Sequence, residues 1–467
     1  MTITIGELIR RCDALPAESP RGEAGSAPFR GASIDSRTIQ PGEVFFALPG
    51  ERVDGHDFIP DAMDRGAALV IGSARHQKSA AYGAPMLWVD DVQGALTELA
   101  RTWRTLLRTT QVIAVTGSNG KTTACRLIHG ALTSERAAVR SRRSFNNHLG
   151  VPLTLLSASQ DDAFVVCEIG ANAPGEIATL AAIAQPDMAV ITSIGRAHVG
   201  GFGSAEAVLK EKASLAHAVA PGGVVFVADD PPALAVEAET GDRHVVTVGF
   251  NDDASVSILT AEHQWRGATP QLCVTIGDGS RFESPVFGRH NARNVAFAIA
   301  VAQHGGISDA GIQQGLLAAE LPPMRQEICT IEGVTFFNDA YNANPESMAA
   351  SLETFLELTS HTQRRVLVLG DMLELGDSSH EAHLALLRSV AQQSDSVRVI
   401  LVGSAFAAAA SVISDHSFEV HGAPSDALFS QLSSEWRQGD AVLVKGSRGL
   451  RLERVVQAFT QRGAVPA

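Results

Sequence analysis

The sequence predicts a three-domain α/β protein: a small N-terminal α/β domain, a central domain with a doubly wound, mostly parallel sheet, and a C-terminal Rossmann-like α/β domain. With 467 residues, the chain is too long for one hydrophobic core. Apolar runs typical of buried parallel strands alternate with helical patterns in two separate stretches. One of these runs ends in a glycine-rich turn that opens a helix. We expect the domains at residues 1–100, 101–320 and 321–467.

The first hundred residues mix short strands with turns. The dipeptides Pro41-Gly42, Pro49-Gly50 and Asp54-Gly55 mark the turns, because proline presets φ and glycine tolerates positive φ. The block closes with residues 67–72, a short apolar strand after a helix. This pattern predicts a small domain.

The two later stretches show the alternation expected of doubly wound sheets. Apolar runs in the central stretch are Val112–Thr116, Phe164–Glu168, Met188–Ile194 and Val224–Val227. Those of the last stretch are Val366–Leu369, Val399–Val402 and Ala441–Val444, separated by helices such as His380–Gln392. Ligands of open parallel sheets bind beyond the carboxyl ends of the strands. Polar residues that follow these runs are therefore the candidate site residues.

The segment from Val112 to Thr123 carries the most specific functional signal. An apolar run leads into a glycine-rich turn and then into Lys121-Thr-Thr123, where a helical pattern begins. In such a P-loop, glycines let N–H groups approach phosphate oxygens, and the helix start adds partial positive charge. Lys121 can reach the terminal phosphates and Thr122 can bind Mg²⁺. The first glycine of the usual pattern falls at Val115, and the alternative is an ordinary glycine-rich turn. The predicted nucleotide-binding residues here are Gly117, Ser118, Asn119, Gly120, Lys121, Thr122 and Thr123.

A carboxylate and an imidazole follow two further strands of the same predicted domain. Glu168 and His198 each come at or after the end of an apolar run. Such side chains beside a phosphate loop suit Mg²⁺, although either one alone is more often a surface or helix-capping group. Periodicity alone places the downstream residues Lys210 and Lys212 on the solvent face of a helix.

Three polar segments stay open on residue chemistry alone. Residues 146–148 form either a polar loop or a contact with an anionic substrate or metal shell. Residues 288–294 can hydrogen-bond a purine or cap a helix. Residues 338–345 place an acid and amides in a turn, where Asn and Asp are common anyway. The candidates in these segments are Asn146, Asn147, His148, His290, Asn291, Asn294, Asp339, Tyr341, Asn342 and Asn344.

Composition excludes several function classes. The formal net charge of −14, from 37 basic and 51 acidic residues, disfavours a general nucleic-acid binder. The N-terminus lacks the pattern of a signal peptide. The longest uncharged stretch, Val399–Ser414, is shorter than the roughly 20 apolar residues of a membrane helix, so we expect no membrane insertion. Five cysteines without a CxxC pair suggest a reducing cytoplasm.

Taken together, these segments resemble the Mur ligase family, ATP-dependent enzymes that add amino acids to a UDP-linked muramyl peptide. The resemblance extends from about residue 30 to the end. The phosphate loop alone indicates the superfamily. The segments 339–345 and 370–376 are more specific and indicate the member that attaches D-alanyl-D-alanine. The segments that carry the resemblance are Asp35-Ser-Arg37, Gly55-His-Asp-Phe58, Thr116–Thr123, Glu168, His198, Gly288-Arg-His-Asn291, Asp339-Ala-Tyr-Asn-Ala-Asn-Pro345, Gly370-Asp-Met-Leu-Glu-Leu-Gly376 and Lys445-Gly-Ser-Arg448.

The resemblance implies a ligase reaction with ATP and a pair of Mg²⁺ ions as cofactors. ATP would phosphorylate the terminal carboxylate of UDP-N-acetylmuramoyl-tripeptide. The amine of D-Ala-D-Ala would attack this acyl phosphate, and the product would be the UDP-muramyl pentapeptide of peptidoglycan synthesis. Moving a phosphoryl group needs positioning and cations more than covalent help. We expect the chain to act as a monomer.

The resemblance also implies roles residue by residue. Lys121 would grip the β/γ-phosphates, and Thr122, Glu168 and His198 would serve the metal sites. Lys212 matches a lysine that the family carbamylates, which would turn a cation into an oxygen ligand for Mg²⁺. The other implied contacts are His290, Asn291 and Asn294 for adenine, Asp339 for the ribose, Tyr341 and Asn342 for ATP, Arg325 for the γ-phosphate, Asp35, Ser36 and Arg37 for UDP, Asn146, Asn147 and Asn344 for the substrate, and Lys445, Ser447 and Arg448, with His383, for the acceptor side.

Two departures from the family pattern and two alternative functions bear on this interpretation. Ser193 stands where the family usually has Asn, and Gly200 where an acidic residue often follows the histidine.

One alternative is another acid–amine ligase of the superfamily, such as a folylpolyglutamate synthetase, which has no reason for the Asp35–Arg37 block. The other is a nucleotide-binding module without catalysis.

Overall fold

The computed structural model shows three α/β units in chain order, each built on its own sheet. It describes residues 3–13, 15, 23–50, 53–79, 85–142, 144–195, 202–267, 269–362, 364–393, 397–413 and 418–462. The three-domain α/β fold predicted from the sequence is confirmed. No helix in these ranges combines the length and the apolar character required to cross a bilayer.

The N-terminal sheet has four parallel strands in the order β1-β2-β3-β4. They are β1 (Ala32–Ser33), β2 (Val44–Phe46), β3 (Leu69–Ser73) and β4 (Met86–Val89). The helices of this unit are Ile5–Arg10, Glu23–Ser26 and Ile59–Asp64, with 3₁₀ turns at Gly55–Phe58 and Ala74–Ser79. Because all four strands are parallel, the residues that follow them meet at one edge of the sheet.

The middle sheet has nine strands in the order β13-β12-β11-β10-β9-β8-β5-β7-β6. They are β5 (Gln111–Thr116), β6 (Ala138–Arg140), β7 (Phe164–Glu168), β8 (Met188–Ile191), β9 (Val224–Ala228), β10 (His244–Gly249), β11 (Val256–Arg266), β12 (Thr269–Ile276) and β13 (Arg281–Ser284). Pairing is parallel from β6 through β11 and antiparallel from β11 to β13. Strands β10–β13 were not predicted from the sequence, because their partly exposed residues break the continuous apolar signal of a buried strand.

Eight helices of the described chain surround the middle sheet or lead into it. They are Val92–Leu106, Lys121–Thr133, Gly150–Leu156, Glu176–Ala184, Ala205–His217, Ala233–Ala238, Ala292–His304 and Asp309–Leu317, with a 3₁₀ turn at Arg289–Asn291. The first of these helices contains residues 100 and 101, at which the expected first domain ends and the second begins.

The C-terminal sheet has six strands in the order β14-β15-β19-β16-β17-β18, and only β14 is antiparallel to its neighbour. The strands are β14 (Glu327–Ile331), β15 (Val334–Asp339), β16 (Arg364–Gly370), β17 (Val397–Val402), β18 (Glu419–His421) and β19 (Asp440–Lys445). The helices are Pro345–Leu358, Ser379–Gln393, Ser404–Ala410, Asp426–Glu435 and Glu453–Arg462, with 3₁₀ turns at Gly376–Ser378 and Arg448–Leu450. The strand, turn and alanine-rich helix predicted for 399–414 are confirmed in the described part of that stretch, 399–413.

The apolar cores show which units are joined. One continuous core extends from Ile5 to Leu316 and thus spans the N-terminal and middle units. At their junction, the Trp103 ring lies 4.6 Å from the Phe29 ring, and its Nε1 donates to the Ala158 carbonyl at 2.9 Å. The C-terminal unit has two further cores, one on each face of its sheet, and one of them includes Phe287 of the middle unit, whose ring lies 6.1 Å from the Phe337 ring.

Close backbone packing fixes the helix that follows β5. Helix Lys121–Thr133 crosses helix Asp309–Leu317 at Gly130 and Gly315, where an added Cβ on Gly315 would lie 2.2 Å from the Gly130 carbonyl oxygen. No side chain fits there without separating the helices.

We expect Gly315→Ala to lower the free energy of unfolding by about 1–3 kcal/mol, because overpacking outweighs the helix propensity of alanine. Urea unfolding followed by circular dichroism measures this change. Gly422→Ala is the control: a Cβ there would meet nothing within 4 Å, so its effect should stay within about 0.5 kcal/mol. Equal stability of both variants would contradict the packing argument.

Candidate functional site

A cavity of about 1020 Å³ lies between the middle and C-terminal domains. Both domains contribute to its wall, which includes the start of the helix after β5 and the end of β15. The predicted residues that line it are Ser118, Asn119, Gly120, Lys121, Thr122, Thr123, Asn146, Asn147, His148, Glu168, His290, Asn291, Asn294, Arg325, Asp339, Tyr341, Asn342, Asn344 and Lys445. Those outside its lining are Asp35, Ser36, Arg37, Gly117, Lys212, Ser447 and Arg448. His198 and Gly200 lie outside the described residues.

The P-loop has the backbone shape that its glycines permit. Gly117 and Gly120 have φ of +144° and +85°, where other residues are strained. A Cβ on Gly117 would lie 2.2 Å from Thr192 Oγ1. Lys121 Nζ donates to the carbonyls of Gly117 and Ser118 at 2.6 and 3.2 Å. The first-turn N–H groups of the following helix have no partner within that helix, which makes them donors for an anion.

The loop after β8 braces the P-loop. Ser193 Oγ accepts from the Asn119 N–H at 2.9 Å, and the Ser118 N–H donates to the Ser193 carbonyl at 2.9 Å. Thr192 Oγ1 donates to the Asn119 carbonyl at 2.5 Å. The departure from the family pattern at Ser193 therefore has a structural use here. These bonds also mean that the N–H groups of Ser118 and Asn119 are already engaged, which the sequence analysis did not foresee.

Glu168 and Thr122 offer oxygen atoms to the cavity. Glu168 is 1% exposed, and its Oε1 accepts from Asn146 Nδ2 at 2.8 Å. Its Oε2 is buried without a hydrogen-bond partner among the described atoms. The Thr122 hydroxyl lies 3.5 Å from Ser144 Oγ. Glu168 and Thr122 line the same cavity, and carboxylate and hydroxyl oxygens are ligands that Mg²⁺ prefers, so these residues fit the ion.

Lys212 and Lys210 have opposite environments on helix Ala205–His217. Lys212 is 2% exposed, and its Nζ lies 5.6 Å from the centre of the Phe202 ring. Burial, with a smaller contribution from the charge of Lys121, lowers the pKa of Lys212 to about 7. Lys210 Nζ pairs with exposed Glu206 at 2.8 Å. Periodicity alone was therefore wrong in placing Lys212 on the solvent face.

Direct hydrogen bonds join the two domains across the cavity. Ser144 Oγ accepts from the Tyr341 hydroxyl at 2.8 Å and from Arg325 Nη2 at 3.3 Å. The Arg325 guanidinium also lies over the Tyr341 ring at 4.0 Å. Asn344 Nδ2 donates to Asn119 Oδ1 at 2.7 Å, so a C-terminal residue contacts the P-loop itself. The cavity thus has walls on both sides of the phosphate-binding segment.

A buried ion pair forms the C-terminal wall. Lys445 Nζ donates to Asp339 Oδ2 at 2.6 Å and to the Asn342 carbonyl at 3.1 Å. Asp339 also accepts from the Ser351 hydroxyl and from the Gln326 N–H. Both members of the pair therefore have protein partners as well as a position on the cavity.

The remaining C-terminal candidates support the loop that follows β16. Ser447 Oγ accepts from the Leu373 N–H at 2.8 Å. His383 is fully buried; its Nε2 accepts from the Met372 N–H and its Nδ1 donates to the Ser379 carbonyl. Burial lowers the pKa of this imidazole, which keeps it neutral.

Arg448 is more open to solvent. Its Nη1 pairs with Glu453 at 2.8 Å, and half of its side chain is exposed. The guanidinium also contacts Met324 Sδ at 3.3 Å, next to the linker that enters the C-terminal domain. Arg448 lies beside this linker and outside the cavity lining, where solvent and a ligand can reach its guanidinium.

The N-terminal candidates occupy the carboxyl edge of their own sheet. Asp35 and Arg37 directly follow β1, and the Arg37 Nε and Nη2 donate to the two Asp35 oxygens at 2.8 and 2.7 Å. The Arg37 side chain is 83% exposed, whereas Ser36 is buried. This pair is accessible to an anionic ligand.

The cavity is also lined by residues that were not assigned from the sequence, among them Ser144, Ser193, Phe250 and Gln326. The Phe250 ring has the Arg289 guanidinium 4.2 Å from its centre. Ser144 lies two residues before the predicted segment 146–148, and Gln326 directly follows Arg325. The sequence therefore pointed to their neighbourhood as part of the site. Phe250 follows strand β10, which was not predicted, and no sequence pattern indicated a role for it.

Comparison with known proteins agrees with this architecture. The family model of the Mur ligase family, catalytic domain, matches residues 28–104, the Mur ligase middle domain matches 115–302, and the Mur ligase, glutamate ligase domain, matches 324–448. The UDP-N-acetylmuramoyl-tripeptide–D-alanyl-D-alanine ligase of Bacillus subtilis is 33% identical over 461 residues, covering 96% of this chain and 98% of its own. The protein of the same name from Escherichia coli is 32% identical over 439 residues, covering 92% and 94%.

Solved structures give the same result. A crystal structure of MurF from Acinetobacter baumannii has a TM-score of 0.82 at 27% identity and covers 99% of each chain. MurF ligase from Thermotoga maritima in complex with ADP has a TM-score of 0.75 at 26% identity and covers 93% of this chain and 97% of its own. The chain belongs to the Mur ligase family and is an enzyme of the ligase class. Within that family, the two relatives from Bacillus subtilis and Escherichia coli are both named UDP-N-acetylmuramoyl-tripeptide–D-alanyl-D-alanine ligase.

We expect Lys212 to titrate near pH 7 and Lys210 above its ordinary value, because burial disfavours one ammonium and Glu206 stabilises the other. NMR of lysine side chains labelled with ¹³C and ¹⁵N measures both titrations. The variants Lys212→Arg and Lys210→Arg assign the two signals. A Lys212 signal that changes only above pH 10 would contradict the burial of its amine.

Proposed function

We propose that this chain joins D-alanyl-D-alanine to UDP-N-acetylmuramoyl-tripeptide with ATP, forming the UDP-muramyl pentapeptide for peptidoglycan synthesis. The observation that carries the proposal is the cavity between two domains, in which the P-loop faces Arg325 and the Asp339–Lys445 pair. A phosphoryl group placed there meets cations from both sides, which is what its transfer requires. The similarity to ligases of this name supports the same reaction.

The reaction balances as two substitutions. A carboxylate oxygen of the tripeptide forms a bond to the γ-phosphorus of ATP, and ADP leaves. The amine of the dipeptide then attacks the acyl carbon, gives up a proton, and expels inorganic phosphate. We assign Lys121 and Arg325 to hold the transferring phosphoryl oxygens, since both line the cavity. The domain-crossing bonds of Ser144 and Asn344 would hold these groups in place.

The proposed metal cofactor is a pair of Mg²⁺ ions. Thr122 and Glu168 would hold these ions, with His198 and carbamylated Lys212 as further ligands. Bound Mg²⁺ would neutralise charge on the phosphate oxygens. The uncompensated Glu168 Oε2 supports this assignment, because a cation removes the cost of a buried carboxylate oxygen.

We propose a role for each domain. Residues 1–100 would bind the UDP part through Asp35, Ser36 and Arg37, and residues 101–320 would bind ATP. Residues 321–467 would bind the dipeptide and part of ATP, with Lys445, Ser447 and Arg448 on the acceptor side. One chain supplies all of these groups, so a monomer suffices, and five free thiols suit the cytoplasm.

The test is phosphate release with the complete substrate set, omitting one component at a time. We expect release only when ATP, UDP-N-acetylmuramoyl-tripeptide and D-Ala-D-Ala are all present, and at least 10³-fold slower release by Lys121→Ala, because phosphoryl positioning is lost. Turnover with folate and glutamate instead would favour a folylpolyglutamate synthetase. Nucleotide binding without release in any mixture would favour a module without catalysis.

We also expect Lys212 to react with CO₂. Its neutral amine would form an N–C bond, lose a proton and become a carbamate. Lys212→Ala should then lose most activity, and short carboxylic acids should restore part of it by supplying the missing oxygen ligand. Lys210→Ala, on the same helix but exposed, should keep full activity. ¹³C NMR with labelled bicarbonate provides a second measurement: a carbamate signal that persists in Lys212→Ala would refute the assignment.

A further inference from the structure

We propose that Gln326, in the linker between the middle and C-terminal domains, determines which purine base the nucleotide site accepts. The inference rests on the proposed ATP-binding function and concerns a residue to which that function assigns no role. Gln326 is half-buried, lines the cavity and follows Arg325 directly.

One backbone carbonyl fixes the orientation of the Gln326 carboxamide. Asn291 Nδ2 donates to the Phe287 carbonyl at 2.8 Å, and because a carbonyl can only accept, this end of Asn291 is its amide nitrogen. The same nitrogen donates to Gln326 Oε1 at 2.7 Å. Gln326 Nε2 then lies 2.9 Å from His290 Nε2, which accepts. The carboxamide therefore has one orientation in this network.

The side-chain contacts with His290 and Asn291 use half of the hydrogen-bonding capacity of Gln326. The other half is left for a ligand. Of two N–H groups on Nε2, His290 takes one, and of two lone pairs on Oε1, Asn291 takes one. A primary amide suits adenine, which offers an amino donor and ring-nitrogen acceptors. Hypoxanthine carries a carbonyl oxygen in place of that amino group. A carboxamide held in one orientation can therefore distinguish the two bases.

A chain of amides connects Gln326 to the P-loop. Asn291 Oδ1 accepts from Asn294 Nδ2 at 2.8 Å. The other end of Asn294 reaches Gly120, where an added Cβ would lie 2.6 Å from Asn294 Oδ1. Gln326 is thus held at a set distance from the phosphate-binding loop, on the wall of the same cavity. A nucleotide whose phosphates bind at Gly120 would extend its base along this wall.

The linker backbone supports the same assignment. Met324 and Gln326 have φ of +57° and +56°, a left-handed conformation that is unfavourable for residues other than glycine. The Gln326 N–H donates to Asp339 Oδ1 at 3.2 Å and helps to hold this shape. The conformation keeps the Gln326 side chain among the residues of the middle domain.

The test compares dissociation constants for ATP and ITP by calorimetry on the full chain. ITP carries hypoxanthine in place of adenine. We expect the unmodified chain to bind ATP about tenfold more tightly than ITP, which corresponds to about 1.4 kcal/mol. Gln326→Met, which keeps the volume but removes both polar ends, should reduce the ratio to about twofold by weakening ATP. Gln271→Met, on β12 outside the cavity, is the matched control and should keep the ratio.

Equal losses of ATP and ITP affinity in Gln326→Met would overturn the proposal, because Gln326 would then only support His290 and Asn291. A chain that binds both nucleotides equally would overturn it as well. If Gln326→Met does not fold, Gln326→Asn, which withdraws the amide by one methylene, should show the same reduced ratio, and an unchanged ratio would count against us. Failure of the unmodified chain to bind either nucleotide would instead refute the proposed function.

Discussion

The site depends on the backbone of Gly117–Gly120 being held in one shape. Both glycines have positive φ, and each one touches a side chain from elsewhere in the sequence: Thr192 at Gly117 and Asn294 at Gly120. The loop after β8 then engages the N–H groups of Ser118 and Asn119. The N–H groups left for phosphate are those at the start of the helix. The P-loop is thus shaped by distant segments: Asn294 is 174 residues from Gly120, and Asn344, which donates to Asn119, is 225 residues from it.

The distribution of the apolar cores explains how the domains are coupled. The N-terminal and middle domains share one core, whereas the C-terminal domain has two further cores, of which one takes in Phe287 of the middle domain, and it is also linked to the middle domain by polar bonds. These bonds include Tyr341 to Ser144, Asn344 to Asn119 and His263 to Glu357. Polar contacts of this kind exchange with water at low cost. We therefore expect the C-terminal domain to be the part that moves if the cavity opens or closes around its ligands.

The sequence predicted those parts of the fold and site that have local signals. Strand β7 was predicted with its observed bounds, because a buried parallel strand reads as one apolar run. Strands β10–β13 were missed because their partly exposed residues do not form a continuous apolar run. The P-loop residues were predicted from their own pattern, but the engagement of Asn119 by Ser193 was not, since this contact joins distant positions. The burial of Lys212 was likewise invisible to periodicity, because it depends on what packs over the helix.

The ion pair of Asp339 and Lys445 shows a similar dependence on tertiary structure. Each residue ends a strand, and β15 and β19 are neighbours in the sheet although 100 residues separate them. The sequence predicted these two residues as contacts for different ligands and did not indicate that they pair with each other. In the folded chain they are partners in an ion pair, with Lys445 Nζ 2.6 Å from Asp339 Oδ2 in the cavity wall.

The shared core of the first two domains has a consequence for substrate choice. Because apolar packing fixes the Asp35–Arg37 edge relative to the P-loop, the gap between them would stay constant even if the C-terminal domain moved. A donor held by its nucleotide end at the first edge would place its far carboxylate at the second only if its peptide had the matching length. Under the proposed function, shorter and longer precursors would be rejected by reach alone, before any chemical step.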